Sequence, residues 1–308
     1  MNGSDFEFPT NLVQAAGEGN DAALVARGRA AVPRRSWMAE LPVIVHDVAQ
    51  RWSLELERPF QPGGVASWVA PARNRAGKAV VLKVAWLQHD EAIHEADGLR
   101  AWRGNGAVRL LDATVIGDTT SVLLLEACQP GIAPSHALPP LWWDEVVAAL
   151  LRRLWIEPPW TYSFRPLRDM CDWWADEFEN KYATAKGYLL DRGMAQAGVE
   201  LFRTLPATAE RSVLLCTDLH PANVLAARRE AWLAIDPKPY VGDPTYDPLQ
   251  HMLNFPDRLT RDPVGFVDRM AHLLDLDPER LRQWLFARCV QQSIDQPHLI
   301  GAITSLAP

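Results

Sequence analysis

The sequence predicts an α+β chain in two lobes, an N-terminal antiparallel sheet with one packed helix followed by a mainly helical C-terminal lobe. Three observations carry this. Short β-rich runs crowd between Val65 and Glu126 with a single helix-periodic segment among them. A Gln129-Pro130-Gly131 break opens a proline-rich stretch ending at Pro139-Pro140, and helical periodicity dominates beyond it. The length of 308 residues suggests two units at roughly 150 residues each. The predicted boundaries are 1–128, with a helical extension over 1–58, and 129–308.

Taken in order, the first fifty residues read as helical and irregular, punctuated by Pro33 and Pro42. Val65–Ala70 and Ala79–Ala85 are β-rich and joined by the turn-forming Arg73-Asn74-Arg75-Ala76-Gly77, which predicts a hairpin. Asp90 to Arg103 carries Ile93, Ala96 and Leu99 at helical spacing and stops at Gly104-Asn105-Gly106. Val108–Leu111 and Thr120–Glu126 follow as strands. In the second lobe, Leu141 to Trp155 has one apolar face, and Pro140 suits its first turn. Leu167 to Leu189 and the segments after Pro244 and Asp262 also read as helices. Between them, Val213–Cys216 and Trp232–Ile235 are short β-runs flanking a polar loop.

Composition narrows the function classes. With 31 basic and 38 acidic side chains the net charge is −7, and the pI is near 5.6. That balance disfavours nucleic acid, whose phosphates demand clustered Lys and Arg; a small partner, cationic or neutral, fits better. The four cysteines lie far apart without a CxxC pair, the pattern of reduced thiols rather than zinc or disulfides. No basic start with an apolar run opens the chain, and no apolar run is long enough to span a bilayer. The expectation is a cytoplasmic protein with no membrane partner, a monomer by default.

The chemistry concentrates in Cys216-Thr217-Asp218-Leu219-His220-Pro221-Ala222-Asn223 and Ala234-Ile235-Asp236-Pro237. An Asp and an Asn five apart on one loop, with a second Asp thirteen further on at a strand end, can converge on one point. Phosphoryl transfer from ATP needs such a set: a carboxylate to orient and deprotonate the attacking hydroxyl, and two oxygens to hold Mg²⁺. In that scheme Asp218 is the base, and Asn223 and Asp236 bind the metal. Lys83 lies inside the apolar strand Val80–Ala85, where a charge is costly unless paired. A lysine reaching ATP phosphates while held by a glutamate of the next helix explains it. Glu95 takes that role, with Glu91, one turn earlier, as competitor. Gly63, Gly64 and Ser67 precede or open the first hairpin strand, where a phosphate-covering loop belongs.

These residues, with Gly98–Trp102, Gly106–Asp112, Leu123–Glu126, Asn223–Ala226, Trp232–Pro237 and Gly242–Pro244, resemble the aminoglycoside phosphotransferases, in particular the aminoglycoside/hydroxyurea antibiotic resistance kinase branch that includes streptomycin 6-phosphotransferases. The resemblance implies a protein-kinase-like two-lobed fold, ATP with Mg²⁺, and transfer to a hydroxyl of an antibiotic or aminocyclitol. It puts phosphate anchoring on Lys83 and Glu95, the adenine hinge on Glu126, Ala127 and Cys128, and the chemistry on Asp218, Asn223 and Asp236. The chain departs from the family's His-x-Asp opening of the catalytic loop, reading Cys216-Thr217-Asp218. His220 and Asp243 are expected to brace rather than react, Asp243 as a helix cap before Pro244.

For a cationic acceptor, the helical lobe offers carboxylates, of which Asp247, Asp295 and Glu177 are the candidate contacts. Thirteen tryptophans include the pairs Trp142-Trp143 and Trp173-Trp174. One of each pair is expected in the core, and the other is suited to stacking on a sugar ring. The alternatives are an aminosugar or other small-metabolite kinase, and a kinase-like binding protein without transfer activity.

Overall fold

The computed structural model describes residues 6–17, 32–87, 92–133, 139–187 and 190–308. The chain divides into two compact units, residues 1–104 with 108–129, and residues 105–107 with 130–308.

The first unit is built on a five-stranded antiparallel sheet of β1 (Glu55–Leu56), β2 (Ser67–Arg73), β3 (Ala79–Trp86), β4 (Leu110–Ile116) and β5 (Thr120–Glu126), in the order β1-β2-β3-β5-β4. Strand β1, two residues long, is too short to show a period in the sequence. It pairs Glu55 with Arg73 and Leu56 with Ala72, so the first predicted strand runs later than expected, to Arg73. Strand β4 also starts later than Val108, because Ala107 is bridged to Ala234 of the second unit's own hairpin.

Alternation along β3 decides what covers each face of the sheet. Leu82, Val84 and Trp86 join Trp68, Ala70 and Val122 in a core closed by helix α2 (Arg34–Arg51) through Trp37, Leu41, Ile44, Val45 and Val48. The indole N–H of Trp37 donates to Thr120 Oγ1 at 3.0 Å. Much of the expected N-terminal extension is therefore a working part of the first core. Helix α1 (Thr10–Gly17) adds Leu12 to it. On the opposite face, Lys83 meets helix α3 (Glu95–Trp102), which ends where Arg103 takes φ +52°. Glu91, the competing partner for Lys83, lies outside the described residues.

The second unit is mainly helical. Helix α4 (Pro140–Leu154) has Pro140 in its first turn and buries Trp143, Val147, Leu151 and Leu154. Helices α5 (Leu167–Thr184) and α6 (Arg192–Thr204) precede three small strands, β7 (Val213–Leu215), β8 (Val224–Ala226) and β9 (Trp232–Ala234). Strand β10 (Tyr240–Gly242) lies between β7 and β6 (Arg165–Pro166). Helices α7 (Leu249–Leu253), α8 (Pro256–Arg261), α9 (Pro263–Leu274), α10 (Pro278–Gln292) and α11 (Ile300–Leu306) complete the unit. Gly198 on α6 lets α10 approach closely, since a Cβ there would sit 2.6 Å from Val290. Trp284 anchors this core, edge-on to Phe202 and Tyr246.

Of the tryptophan pairs, Trp143 is buried and Trp142 is 57% exposed. Trp174 packs against Phe202, with the Arg288 guanidinium 3.9 Å from its ring. Asp144, buried on α4, is gripped by His251, Arg258 and Arg269 at 2.8 Å each. Burial alone would raise its carboxyl, but these donors hold it well below the usual carboxylate range.

Candidate active site

In the first unit the structure joins Lys83 and Glu95. The ammonium lies 2.8 Å from Glu95 Oε1 and 2.6 Å from Oε2, and the side chains are only 7% and 1% exposed. A lysine in mid-sheet is tolerable here because a carboxylate from α3 satisfies it at both oxygens. Ser67 opens β2, opposite Ala85.

The Gly63-Gly64 loop lies between β1 and β2 and is tied to the N-terminal segment. Asn11 donates from its side chain to Gly63 O at 2.8 Å and from its backbone to Pro62 O at 3.0 Å. Gly63 has φ +72°, and a Cβ would fall 2.5 Å from Pro9. The first of the two glycines thus has a local structural reason to be there. Glu126 ends β5 and exchanges two bonds with Arg109, its backbone N–H donating to Arg109 O and its carboxylate accepting from Arg109 N–H, both at 3.0 Å. Ala127 and Cys128 follow outside any strand.

In the second unit, β7 delivers the chain into the Cys216–Asn223 loop. Asn223 donates through Nδ2 to Asp218 O at 2.9 Å and to Asp218 Oδ2 at 3.2 Å. That fixes the amide, turning its oxygen away from Asp218. Hairpin β8–β9 then brings in Asp236: Val224 pairs with Ala234, and the Ile235 N–H donates to Asn223 O at 2.9 Å. The three residues expected to act together are therefore neighbours on one loop and one hairpin end. His220 caps the turn Pro221–Asn223, its Nδ1 accepting from Ala222 N–H at 3.3 Å, while Nε2 stands 3.6 Å from Asp218 Oδ1. Burial pulls His220 below the ordinary imidazole range, in keeping with a bracing role.

Asp247, expected to contact a cationic acceptor, is turned inward instead. It is fully buried, and its oxygens accept from Thr217 N–H at 2.6 Å, Cys216 N–H at 3.1 Å and the Trp155 indole at 2.9 Å. A carboxylate from after β10 thus clamps the start of the Cys216–Asn223 loop, just where the sequence lacks the histidine expected from the resemblance. Burial pushes its carboxyl up to about 6, against the lowering effect of those three donors. Asp243 is the brace expected of it, accepting from Thr245 N–H at 2.9 Å and binding Arg280 at 2.6 Å and the Trp284 indole at 2.7 Å.

Two features escaped the sequence reading. Thr217 holds φ +52°, a left-handed conformation that a β-branched residue rarely adopts. It is kept there by Asp247 and by its own hydroxyl, which donates to Lys238 O at 2.6 Å. Lys238 is the second. Its N–H donates to Cys216 O at 2.9 Å, and its ammonium lies 2.6 Å from Asp236 Oδ1. The signal for Lys238 was its place between two prolines directly after Asp236; the signal for Thr217 was nil.

The two remaining candidates, Asp295 and Glu177, do come together, though around a cation. Lys181 Nζ lies 2.6 Å from Asp295 Oδ2 and 3.3 Å from Glu177 Oε1. Among the described residues no three His, Cys, Asp or Glu side chains cluster as a ready-made metal site. The Asn223 and Asp236 oxygens suit an ion that keeps phosphates and waters as its other ligands, as Mg²⁺ does.

With this geometry in place, comparison with known proteins is decisive for the family. Residues 51–296 match the model of the aminoglycoside/hydroxyurea antibiotic resistance kinases. The chain belongs to this family. It is 33% identical over 287 residues to the streptomycin 6-kinase of Streptomyces griseus, covering 89% of this chain and 88% of that one. It is 32% identical over 271 residues to the hydroxyurea phosphotransferase of Kitasatospora aureofaciens, covering 84% and 74%. Among solved structures, aminoglycoside phosphotransferase APH(4)-Ia shares the fold at 16% identity and a TM-score of 0.54, covering 85% of this chain and 97% of that one. The phosphotransferase APH(3'')-Id of Streptomyces rimosus, solved with ADP and streptomycin, does so at 17% identity and a TM-score of 0.53, covering 86% and 98%. As a member of this kinase family, the chain is an ATP-dependent phosphotransferase acting on a small-molecule hydroxyl.

Proposed function

We propose that this kinase transfers the γ-phosphoryl group of Mg·ATP to a hydroxyl of streptomycin or a related aminocyclitol. The observation that carries the chemistry is the Asp218–Asn223 pair, joined by hydrogen bonds on a loop clamped by Asp247. Similarity to streptomycin 6-kinases along most of the chain supports the acceptor.

Asp218 orients the acceptor hydroxyl and takes its proton as the oxygen attacks the γ-phosphorus and the bond to the ADP oxygen breaks. Asn223 holds Asp218 in place through Nδ2 and, with Asp236, is the residue set that would hold Mg²⁺. When bound, that ion supplies charge neutralisation at the phosphates. Lys83, fixed by Glu95, anchors the phosphates, and Glu126 to Cys128 receive the adenine. Gly63, Gly64 and Ser67 cover the phosphates. Asp295 and Glu177 attract the cationic acceptor.

Product analysis by mass spectrometry after incubation with Mg·ATP tests this, using streptomycin, other aminoglycosides, hydroxyurea and aminosugars as acceptors. Phosphorylated streptomycin is the expected product. The likeness to a hydroxyurea phosphotransferase favours one second reading, in which hydroxyurea alone is phosphorylated. An aminosugar product would keep the chemistry and replace the acceptor. No product from any acceptor, with nucleotide binding intact, would support a binding protein without transfer activity.

A further inference from the structure

Lys238 has no part in the reaction as derived above, yet it is built into the site. Its backbone is fixed at both ends to the catalytic loop: the N–H donates to Cys216 O at 2.9 Å, and the carbonyl accepts the Thr217 hydroxyl at 2.6 Å. Pro237 and Pro239 flank it, which restricts the backbone on either side. From this fixed backbone the ammonium reaches Asp236 and lies 2.6 Å from Oδ1. The pair is unequal, the lysine side chain 14% exposed and the aspartate 37%. An anion that is the more open member of its pair is one a solute cation can approach.

We propose that Lys238 is a tethered counter-ion of the metal site. Its ammonium neutralises Asp236 when no nucleotide is bound, and it yields that oxygen to the divalent cation that arrives with ATP. This rests on Asp236 being a metal-holding residue. A free divalent ion must displace the ammonium with only Asp236 and Asn223 as protein ligands. An ion already on ATP brings phosphate oxygens, and those phosphates give the displaced ammonium a new anionic partner. The protein therefore takes up metal and nucleotide together and discriminates against metal alone.

The test is Mn²⁺ binding to the full-length protein, read from the electron paramagnetic resonance signal of the free ion, with and without ADP. Without nucleotide, K238M should bind Mn²⁺ about tenfold tighter than the parent or more, the factor set by loss of one charge-assisted hydrogen bond. K238R should resemble the parent. Equal affinity of K238M and the parent, or an equally tightened K238R, overturns the proposal. K238Q provides the same comparison should the methionine variant fold poorly. D236N separates the two ideas: if it keeps ADP-dependent Mn²⁺ binding, Asp236 is not a metal ligand, and the reading beneath the proposal fails on its own. If D236N loses that binding while K238M behaves as the parent, only the tethered counter-ion is wrong.

Discussion

The two units hold their functional groups by different means. In the first, Lys83 and Glu95 are fixed by regular structure, one on a central strand and the other on the helix packed over it, and the pair is almost sealed from water. In the second, Asp218, Asn223 and Asp236 sit on loops whose shape is imposed by hydrogen bonds from elsewhere in the chain, chiefly the buried Asp247. A sheet-held pair is positioned by the strand and the helix that carry it. A loop-held set depends on residues that never touch the reactants, and so it is exposed to distant substitutions.

The sharpest way to separate scaffold from chemistry is D218N. The variant keeps the side-chain size and can keep one bond to Asn223, so the loop should survive. Turnover should fall by about 10²–10⁴-fold, the range for loss of a general base. Nucleotide binding, followed by thermal shift, should be nearly unchanged. Full activity would remove Asp218 from the mechanism.

The sheet-held pair should fail differently. Replacing Lys83 by Met takes the ammonium away from the buried Glu95 carboxylate, and breaking such a pair costs about 3–5 kcal/mol. Urea unfolding should show that loss. The double variant K83M/E95L removes both charges and should recover most of the stability while activity stays absent. If stability is not recovered, the pair does more than balance its own charges.

This contrast also decides what was legible in the sequence. Lys83 announced itself because a charge stands out in an apolar strand, and Asp218, Asn223 and Asp236 because their spacing matches a chemical requirement. The hairpin, β5 and helix α4 were readable from periodicity and proline placement. Strand β1 was not, since two residues carry no period. The N-terminal helix was visible as a helix, but nothing local showed Trp37 and Leu41 closing the sheet. Asp247 was read as a contact for a cationic acceptor because it is a carboxylate of the helical lobe. Its true partners are Trp155, Cys216 and Thr217, far from it in sequence, and only the folded chain joins them.

Asp247 therefore gives the next test of the loop. D247N offers one acceptor oxygen to three donors and turns an amide N–H₂ toward one of them. A loss of about 1–3 kcal/mol follows for the donor left unsatisfied, with lower turnover. In the parent, the carboxyl sits near 6, above its ordinary 3.8. A raised value means the folded state holds this proton more tightly than the unfolded chain. The group's stabilisation is thus complete below about 3.8 and lost as pH rises through about 6. Activity should run the opposite way, because protonation weakens the clamp on Thr217 and Cys216. A pH–rate profile of the parent that falls below about 6, and flattens there in D247N, would tie the clamp to catalysis.

The smallest effects belong to Asp295 and Glu177, and they bear on the acceptor. Both carboxylates already neutralise Lys181, so their field on a cationic ligand is partly cancelled at the start. Removing one exposed charge is worth about 0.2–1 kcal/mol, so D295N should raise the KM for streptomycin only about two- to fivefold. K181M should lower it by releasing both carboxylates, and E177Q should act in the same direction as D295N but less, because Glu177 is the less exposed of the two, 33% against 61%. Stability should change little in each, as expected for surface substitutions. Hydroxyurea carries no charge, so its KM should be indifferent to all three. A response to streptomycin that reverses between D295N and K181M, with hydroxyurea flat, would place this carboxylate pair on the path of a cationic acceptor. Equal behaviour of the two acceptors would assign the pair to the surface alone.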